Sequence, residues 1–370
     1  MHDADTMDPE HMRAALALAR RGLGSTWPNP SVGCVLMRDS RVVGRGTTAP
    51  GGRPHAEAVA LAQAGHLARG ATAYVTLEPC SHHGRSPPCA DALVAAGITR
   101  VVVACGDPDP RVNGAGVAVL QAAGIEVTIG LLANEARSLQ LGFLTRVGLG
   151  RPMVTLKLAS TLDGRIATHA GESQWITGPE ARRAAHALRG QHDAVLAGVG
   201  TIQADDAELT CRIPDYRKTP DLRIVVDSRL RTPLTARVVA TAAAAPTWFL
   251  HRAGADADRM RAFGDAGVRL IEAPGAEPGI DLAAGMQALG AAGLTRVLVE
   301  GGAQIAGGLL RAGLVDRIAW FHAPAVMGGD GWPAAQAFGT TALQDMPRFR
   351  RVDSRPMGDD MLTELSRVAA

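Results

Sequence analysis

The chain has 370 residues, 46% of them apolar and 20% charged, with a formal net charge of +2. That length exceeds an ordinary single domain and predicts two. The composition excludes wholesale disorder, and the near-neutral balance excludes a surface built on charge alone for nucleic acid or membrane.

Aromatic residues are 4% of the chain, so stacking platforms for single-stranded bases are scarce. Five cysteines are present, Cys34, Cys80, Cys89, Cys105 and Cys211, an odd number. The acidic stretch from Met1 to Glu10 does not read as a signal peptide, and no apolar run reaches about 18 residues. The expectation is a cytoplasmic chain with free thiols. Cysteines in that setting are metal ligands, catalytic groups or small core residues.

Apolar and basic residues at helical spacing predict a helix over 11–21, ended by Pro28-Asn29-Pro30. A buried strand is predicted over 31–37, with a hairpin partner over 41–46. A helix over 55–64, a strand over 73–77 and a helix from Pro87 to Ala96 follow. Strand 101–104, helix 117–123 and strand 126–129 complete the first half. Leu149-Gly150-Arg151-Pro152 reads as a linker, which separates 1–148 from 151–370. Beyond it the alternation restarts with strand 154–158, helix 179–189 and strand 194–197. Further strands are predicted over 223–226, 247–250, 268–271, 297–299 and 317–321. Strands alternating with helices of this length predict α/β layers. Cys34 and Cys105 fall in apolar strands and are expected in the core.

Three short segments of the first half hold metal-ligand types next to turns: His55-Ala56-Glu57, Glu78-Pro79-Cys80 and Pro87-Pro88-Cys89. One imidazole and two thiolates suit zinc, and three protein ligands leave a fourth position open. His55 and Cys89 fall near predicted helix starts, where the dipole favours negative charge. Glu57 lies two residues past His55, which an ideal helix does not place on one face. Both can reach one pocket only from the first turn. The competing reading makes Cys80 and Cys89 small core residues and His55 a cap. Their eight intervening residues are wider than the usual zinc spacing. The His-Ala-Glu and Pro-Cys elements together favour a zinc base deaminase, in which the glutamate moves the proton.

In the second half, Lys157 is one of only two lysines, with Lys218. Ser160-Thr-Leu-Asp-Gly164 follows as a turn. Gly171-Glu-Ser-Gln-Trp-Ile-Thr177 is a polar loop with one aromatic. Gly198-Val-Gly-Thr201 leads to Ala204-Asp-Asp206. Glu300-Gly-Gly runs from a strand end into a Gly-rich turn and a helix start, where backbone amides can cradle phosphate. Each alone has a plainer reading. Gly198-x-Gly200 lacks the rest of the dinucleotide fingerprint, which disfavours a Rossmann fold.

These segments closely resemble the bifunctional deaminase/reductase family of riboflavin biosynthesis. The resemblance covers most of the chain, in order, from Pro28-Asn-Pro-Ser-Val-Gly33 through Thr76-Leu-Glu-Pro-Cys80 and Pro87-Pro-Cys89 to Leu298-Val-Glu-Gly-Gly302. It implies a cytidine-deaminase-like three-layer domain followed by a dihydrofolate-reductase-like domain, both α/β. It implies that His55, Cys80 and Cys89 bind zinc, that Glu57 shuttles the proton, and that Asn29 holds the pyrimidine. It implies NADPH contacts at Ser160, Trp175, Thr201, Asp205, Ser228 and the turn Gly302, Ala303, Gln304, Ile305, Ala306, Gly307 and Gly308. It implies that Ser173, Arg189, Asp206, Leu209, Arg212 and Glu300 hold a pyrimidine ribosyl phosphate. It further implies a homo-oligomer acting on a small molecule, with no nucleic-acid or membrane partner.

Three positions depart from the family pattern. Thr48 stands where relatives carry His, Ala115 where a basic residue is common, and Ala207 where Pro is common. Loss of a basic group predicts a weaker grip on the substrate in the deaminase half. His82 and His83, between the two cysteines, are expected near substrate rather than on the metal. The alternative function is a working reductase joined to a structural zinc domain.

Overall fold

The computed structural model describes residues 4–82, 87–217, 219–276 and 279–368. His83 and Lys218 lie outside the described residues. The chain forms two compact units, 1–150 and 151–370.

The first unit runs α1 (Ala4–Arg20), β1 (Gly33–Arg38), β2 (Arg41–Thr47), α2 (Ala56–Ala64) and β3 (Thr72–Val75). It continues with α3 (Cys89–Ala95), β4 (Arg100–Val103), α4 (Ala115–Ala122), β5 (Glu126–Ile129) and α5 (Ala133–Leu149). The sheet order is β2-β1-β3-β4-β5, antiparallel at β2/β1 and β1/β3 and parallel from β3 to β5. The central strands are apolar nearly throughout, as strands covered on both faces must be. Gly33 and Gly46 show how closely the layers meet. A Cβ at Gly33 would lie 1.9 Å from the Ala15 carbonyl oxygen of α1. One at Gly46 would lie 2.0 Å from the Ala56 carbonyl oxygen of α2. Gly46 pairs with Cys34, the neighbour of Gly33, so the two glycines face opposite sides. Helices α1 and α2 therefore cover opposite faces, and α5 packs with α1 while α3 packs with α2. Cys34 and Cys105 are buried in this core, as expected.

The second unit begins with β6 (Met153–Ser160), β7 (Arg165–Ala167), α6 (Pro179–Gly190), β8 (Ala194–Gly198) and α7 (Val199–Asp205). Next come β9 (Leu222–Val226), α8 (Arg237–Ala240), β10 (Thr247–Arg252), α9 (Ala257–Asp265) and β11 (Arg269–Ala273). Then follow β12 (Gly275–Ala276), β13 (Gly279–Ile280), α10 (Leu282–Ala291), β14 (Arg296–Glu300) and α11 (Ala303–Arg311). The unit ends with β15 (Arg317–His322), β16 (Trp332–Pro333), β17 (Phe349–Met357) and β18 (Asp360–Arg367). The main sheet has the order β11-β10-β9-β8-β14-β6-β15-β18-β17. Neighbours are parallel from β11 to β15, and the β17/β18 hairpin closes that edge antiparallel. Ligands of open α/β sheets bind outside the carboxyl ends of the parallel strands.

Several elements differ from the sequence expectation, and three of the differences bear on the packing. Helix α1 starts at Ala4, not at 11. Asp8 explains the extension: it accepts a hydrogen bond from the Tyr74 hydroxyl (2.6 Å) and two from Arg100 (3.0 and 2.7 Å). Helix α5 had no counterpart among the predicted elements; it buries Leu139, Gln140 and Phe143, and Gln140 Nε2 donates to the Ser31 carbonyl (2.7 Å). The terminal hairpin was also absent, because its strands carry charges such as Arg355 and Glu364, which pair across them at 2.7 Å. In the alanine-rich stretch Thr241 to Ala245 only Ala242 is buried.

Candidate active sites

In the first unit the ligand types arrive from three different segments. His55 is the extended residue that precedes α2, so its ring leaves the helix axis. Cys80 follows β3 through the Glu78-Pro79 turn. Cys89 is the first residue of α3, and its N–H points at Cys80 Sγ (3.4 Å). His55 Nδ1 lies 3.3 Å from Cys89 Sγ and 3.6 Å from Cys80 Sγ. The three donor atoms all lie within 4.8 Å of one another. A hydrogen bond from the Cys89 thiol pulls Cys80 down to about 4 and pushes Cys89 up. One imidazole, two close sulfurs and no further ligand in this group among the described residues form a donor set that fits zinc with an open position.

Glu57 sits in the first turn of α2, 3% exposed, and burial pushes its carboxyl up to about 7. The first turn thus brings His55 and Glu57 into one pocket despite their spacing. Asn29, Thr48, Arg53, His82, Asp107 and Arg111 line the same pocket. Asn29 Nδ2 donates to the Gly52 carbonyl (2.8 Å), and Thr48 Oγ1 accepts from the Val32 N–H (3.0 Å). Burial pushes Asp107 up to about 6. Arg111 is held by Asp109, through Nε at 2.9 Å and Nη2 at 2.5 Å. Ala115 is not among the lining residues and is exposed at the start of α4. Sequence reasoning missed Arg53, Asp107 and Arg111 as pocket residues. The Asp107-Pro-Asp-Pro turn after β4 was the available signal.

In the second unit, candidate residues collect where parallel strands end. Ser160 ends β6 and is fully buried; its Oγ donates to the Thr161 carbonyl (2.9 Å) and accepts from Trp320 Nε1 (2.8 Å). Glu300 ends β14, in register with Lys157 on β6. Arg189, in the last turn of α6, grips both carboxylate oxygens of Glu300, at 2.6 and 2.9 Å, and gives Nη1 to the Thr210 carbonyl (2.8 Å). Burial alone would raise the Glu300 carboxyl. The Arg189 charge and hydrogen bonds, with Lys157 behind them, outweigh it and hold the group at about 2. Arg212 is exposed and rests on His186, with Nε 3.3 Å from His186 Nε2.

Thr201 lies in α7 against the turn after β14: a Cβ at Gly301 would fall 2.4 Å from Thr201 Oγ1. Asp205 ends α7 exposed. Asp206 follows at a positive φ of 44° and accepts from the Arg237 N–H (2.8 Å). Leu209 is buried, also at positive φ. Ser228 follows β9, and its carbonyl accepts from the Arg252 N–H (3.2 Å). Ser173 and Trp175 sit on the loop before α6. Trp175 is 66% exposed, with the Arg182 guanidinium 4.7 Å over its ring. Gly302 caps α11, and Ala303 and Gln304 open it. Ile305 lies near Gly198, and Gly308 beside Leu282. Ala306 and Gly307 face inward; a Cβ at Gly307 would meet the Gln336 carbonyl oxygen at 2.5 Å. No helix among the described residues is long and apolar enough to cross a membrane.

Two family models match the chain. Residues 5–105 match the cytidine and deoxycytidylate deaminase zinc-binding region, and residues 152–363 the RibD C-terminal domain. The chain is 43% identical to the Escherichia coli riboflavin biosynthesis protein RibD over 369 residues, covering 97% of this chain and 99% of that protein. It is 40% identical to RibD of Bacillus amyloliquefaciens, covering 96% and 95%. The solved structure of Acinetobacter baumannii RibD, form 1, superposes with a TM-score of 0.88 at 38% identity, covering 98% of this chain and 99% of that one. A diaminohydroxyphosphoribosylaminopyrimidine deaminase/5-amino-6-(5-phosphoribosylamino)uracil reductase from Thermotoga maritima gives 0.85 at 32% identity, covering 99% and 100%.

Proposed function

The chain belongs to the RibD family, and from that premise we propose how its residues divide the family's two reactions. It is a bifunctional enzyme of riboflavin biosynthesis, a zinc-dependent deaminase joined to an NADPH-dependent reductase. The observation that carries the residue assignment is the His55, Cys80 and Cys89 donor cluster, of which His55 and Cys80 line one pocket with buried Glu57.

In the deaminase, His55, Cys80 and Cys89 hold the zinc. Zinc supplies the Lewis acidity that activates water at neutral pH. With zinc held there, Glu57 would carry a proton from water to the departing amine, so that oxygen replaces the amine on the ring and ammonia leaves. Asn29 holds the pyrimidine. Arg53, on the pocket wall, supplies the positive charge missing at 48 and 115. Arg53→Ala should raise the deaminase KM about tenfold, as expected for a lost charge-assisted contact; an unchanged KM contradicts that role.

In the reductase, Ser160, Trp175, Thr201, Asp205, Ser228 and the stretch Gly302 to Gly308 hold NADPH. NADPH supplies the hydride that converts the ribosyl group to ribityl. The amides at the start of α11 suit its phosphates. Ser173, Asp206, Leu209 and Arg212 hold the substrate, with Arg212 turned outward to its phosphate. Arg189 fixes Glu300 rather than meeting that phosphate alone, and Glu300 steadies the opened ribose. The same reading carries a cytoplasmic homo-oligomer with no nucleic-acid partner; light scattering that returns a monomer's mass contradicts the oligomer.

Chelation separates the two activities. Protein stripped of metal should release no ammonia from the diamino substrate, yet oxidise NADPH at the normal rate on substrate already deaminated. Ammonia release that survives full metal removal contradicts the assignment. Metal uptake should also release protons, because the Cys89 thiol must ionise to bind.

A further inference from the structure

Glu78 is buried, 5% exposed, and has no part in the proton transfer assigned above. Its two oxygens are both doubly engaged. Oε1 accepts the N–H groups of Gly116 and Val117, at 3.1 and 3.3 Å. Oε2 accepts those of Gly114 and Asp107, at 3.1 and 3.4 Å. Gly114 is the residue that precedes α4, so this side chain satisfies the open amides of a helix end from outside the helix. The loop leading into that helix carries Asp107, Asp109, Arg111 and Val112, all on the pocket wall. On the other side, Glu78 is two residues from Cys80. Gly116 makes the joint close: a Cβ there would lie 2.0 Å from the Pro79 carbonyl oxygen.

We propose that Glu78 is a positioning residue of the deaminase, locking the 107–112 wall to the turn that bears Cys80. The lock fixes the distance between this pocket wall and the ligand cluster. It needs a carboxylate. An amide side chain would turn its NH2 group toward two backbone N–H donors, losing two hydrogen bonds and opposing like dipoles.

This inference rests on the deaminase reading, which the wild-type enzyme tests by itself. For Glu78→Gln, KM for the diamino substrate should rise about tenfold, because a wall loosened by two lost hydrogen bonds weakens a charge-assisted contact to the substrate. The deaminase kcat should fall less than about threefold, with zinc content unchanged and NADPH oxidation on deaminated substrate normal. Gly116→Ala should reproduce the KM rise while the acid keeps its charge, because the added Cβ would meet the Pro79 carbonyl oxygen at 2.0 Å and Glu78 Oε1 at 3.3 Å and so force the same joint apart. An unchanged KM in Glu78→Gln overturns the proposal, as does a fall in kcat at constant KM. If Glu78→Gln loses zinc, Gly116→Ala decides. Zinc loss in both variants makes Glu78 a support for the ligand turn and overturns the proposal.

Discussion

Glu57→Gln should abolish deamination, by a factor on the order of 10³, while zinc content and NADPH oxidation stay as in the wild type. The substitution keeps the size and shape of a side chain that is 3% exposed, so the pocket has no reason to collapse. What it removes is the only function an amide cannot copy, the taking and giving of a proton between water and the leaving amine. Burial in the first turn of α2 places this carboxyl beside His55, Cys80 and Cys89 without making it one of the three close donors. Ammonia release measured against metal content is the check. A variant that keeps more than about a tenth of wild-type deamination would remove Glu57 from the proton path.

Glu300→Gln should cripple reduction and destabilise the second unit, leaving deamination untouched. The Arg189 and Glu300 side chains are 14% and 10% exposed and meet through two hydrogen bonds. Removing one charge leaves the guanidinium buried without its counter-ion, a loss of about 3 kcal/mol where such pairs are broken. Reduction should fall with it if, as proposed, the Glu300 carboxylate steadies the opened ribose. The pH dependence has a definite sign. The Glu300 carboxyl is held at about 2, below its ordinary value, so its stabilisation is complete above about pH 4.3 and is lost as pH falls toward 2. The difference in melting between wild type and variant should therefore shrink across that window. A variant with normal NADPH oxidation and unchanged melting at neutral pH contradicts both halves of this prediction.

The sequence was most legible where chemistry imposes residue types at fixed places in the chain. His-Ala-Glu, Pro-Cys and the Gly-rich end of β14 each join a strand or helix end to a turn, and such joints are local. The central strands were legible for the same reason, since 101–103 and 297–299 are apolar runs that suit only a covered sheet. What stayed hidden depends on distant partners. The first turns of α1 are anchored by an ion pair between Asp8 and Arg100, residues far apart in the chain. Arg53 and Arg111 belong to unrelated loops, and only folding brings them to one pocket. Arg189 and Glu300 were each assigned to substrate separately; their mutual grip across the strand ends has no trace in local sequence. The terminal hairpin was hidden by its charges, which read as loop until a cross-strand partner is known.

One chain carries both reactions, deamination and reduction. The most direct test is a mass spectrum of the product formed when zinc-loaded protein meets the diamino ribosylamino pyrimidinone phosphate, with and without NADPH. The account predicts the mass change of amine-to-oxygen replacement without NADPH, and a further gain of two hydrogens with it. Unchanged substrate without NADPH, from protein that still reduces separately supplied deaminated substrate, would contradict it and leave a reductase attached to a silent zinc domain.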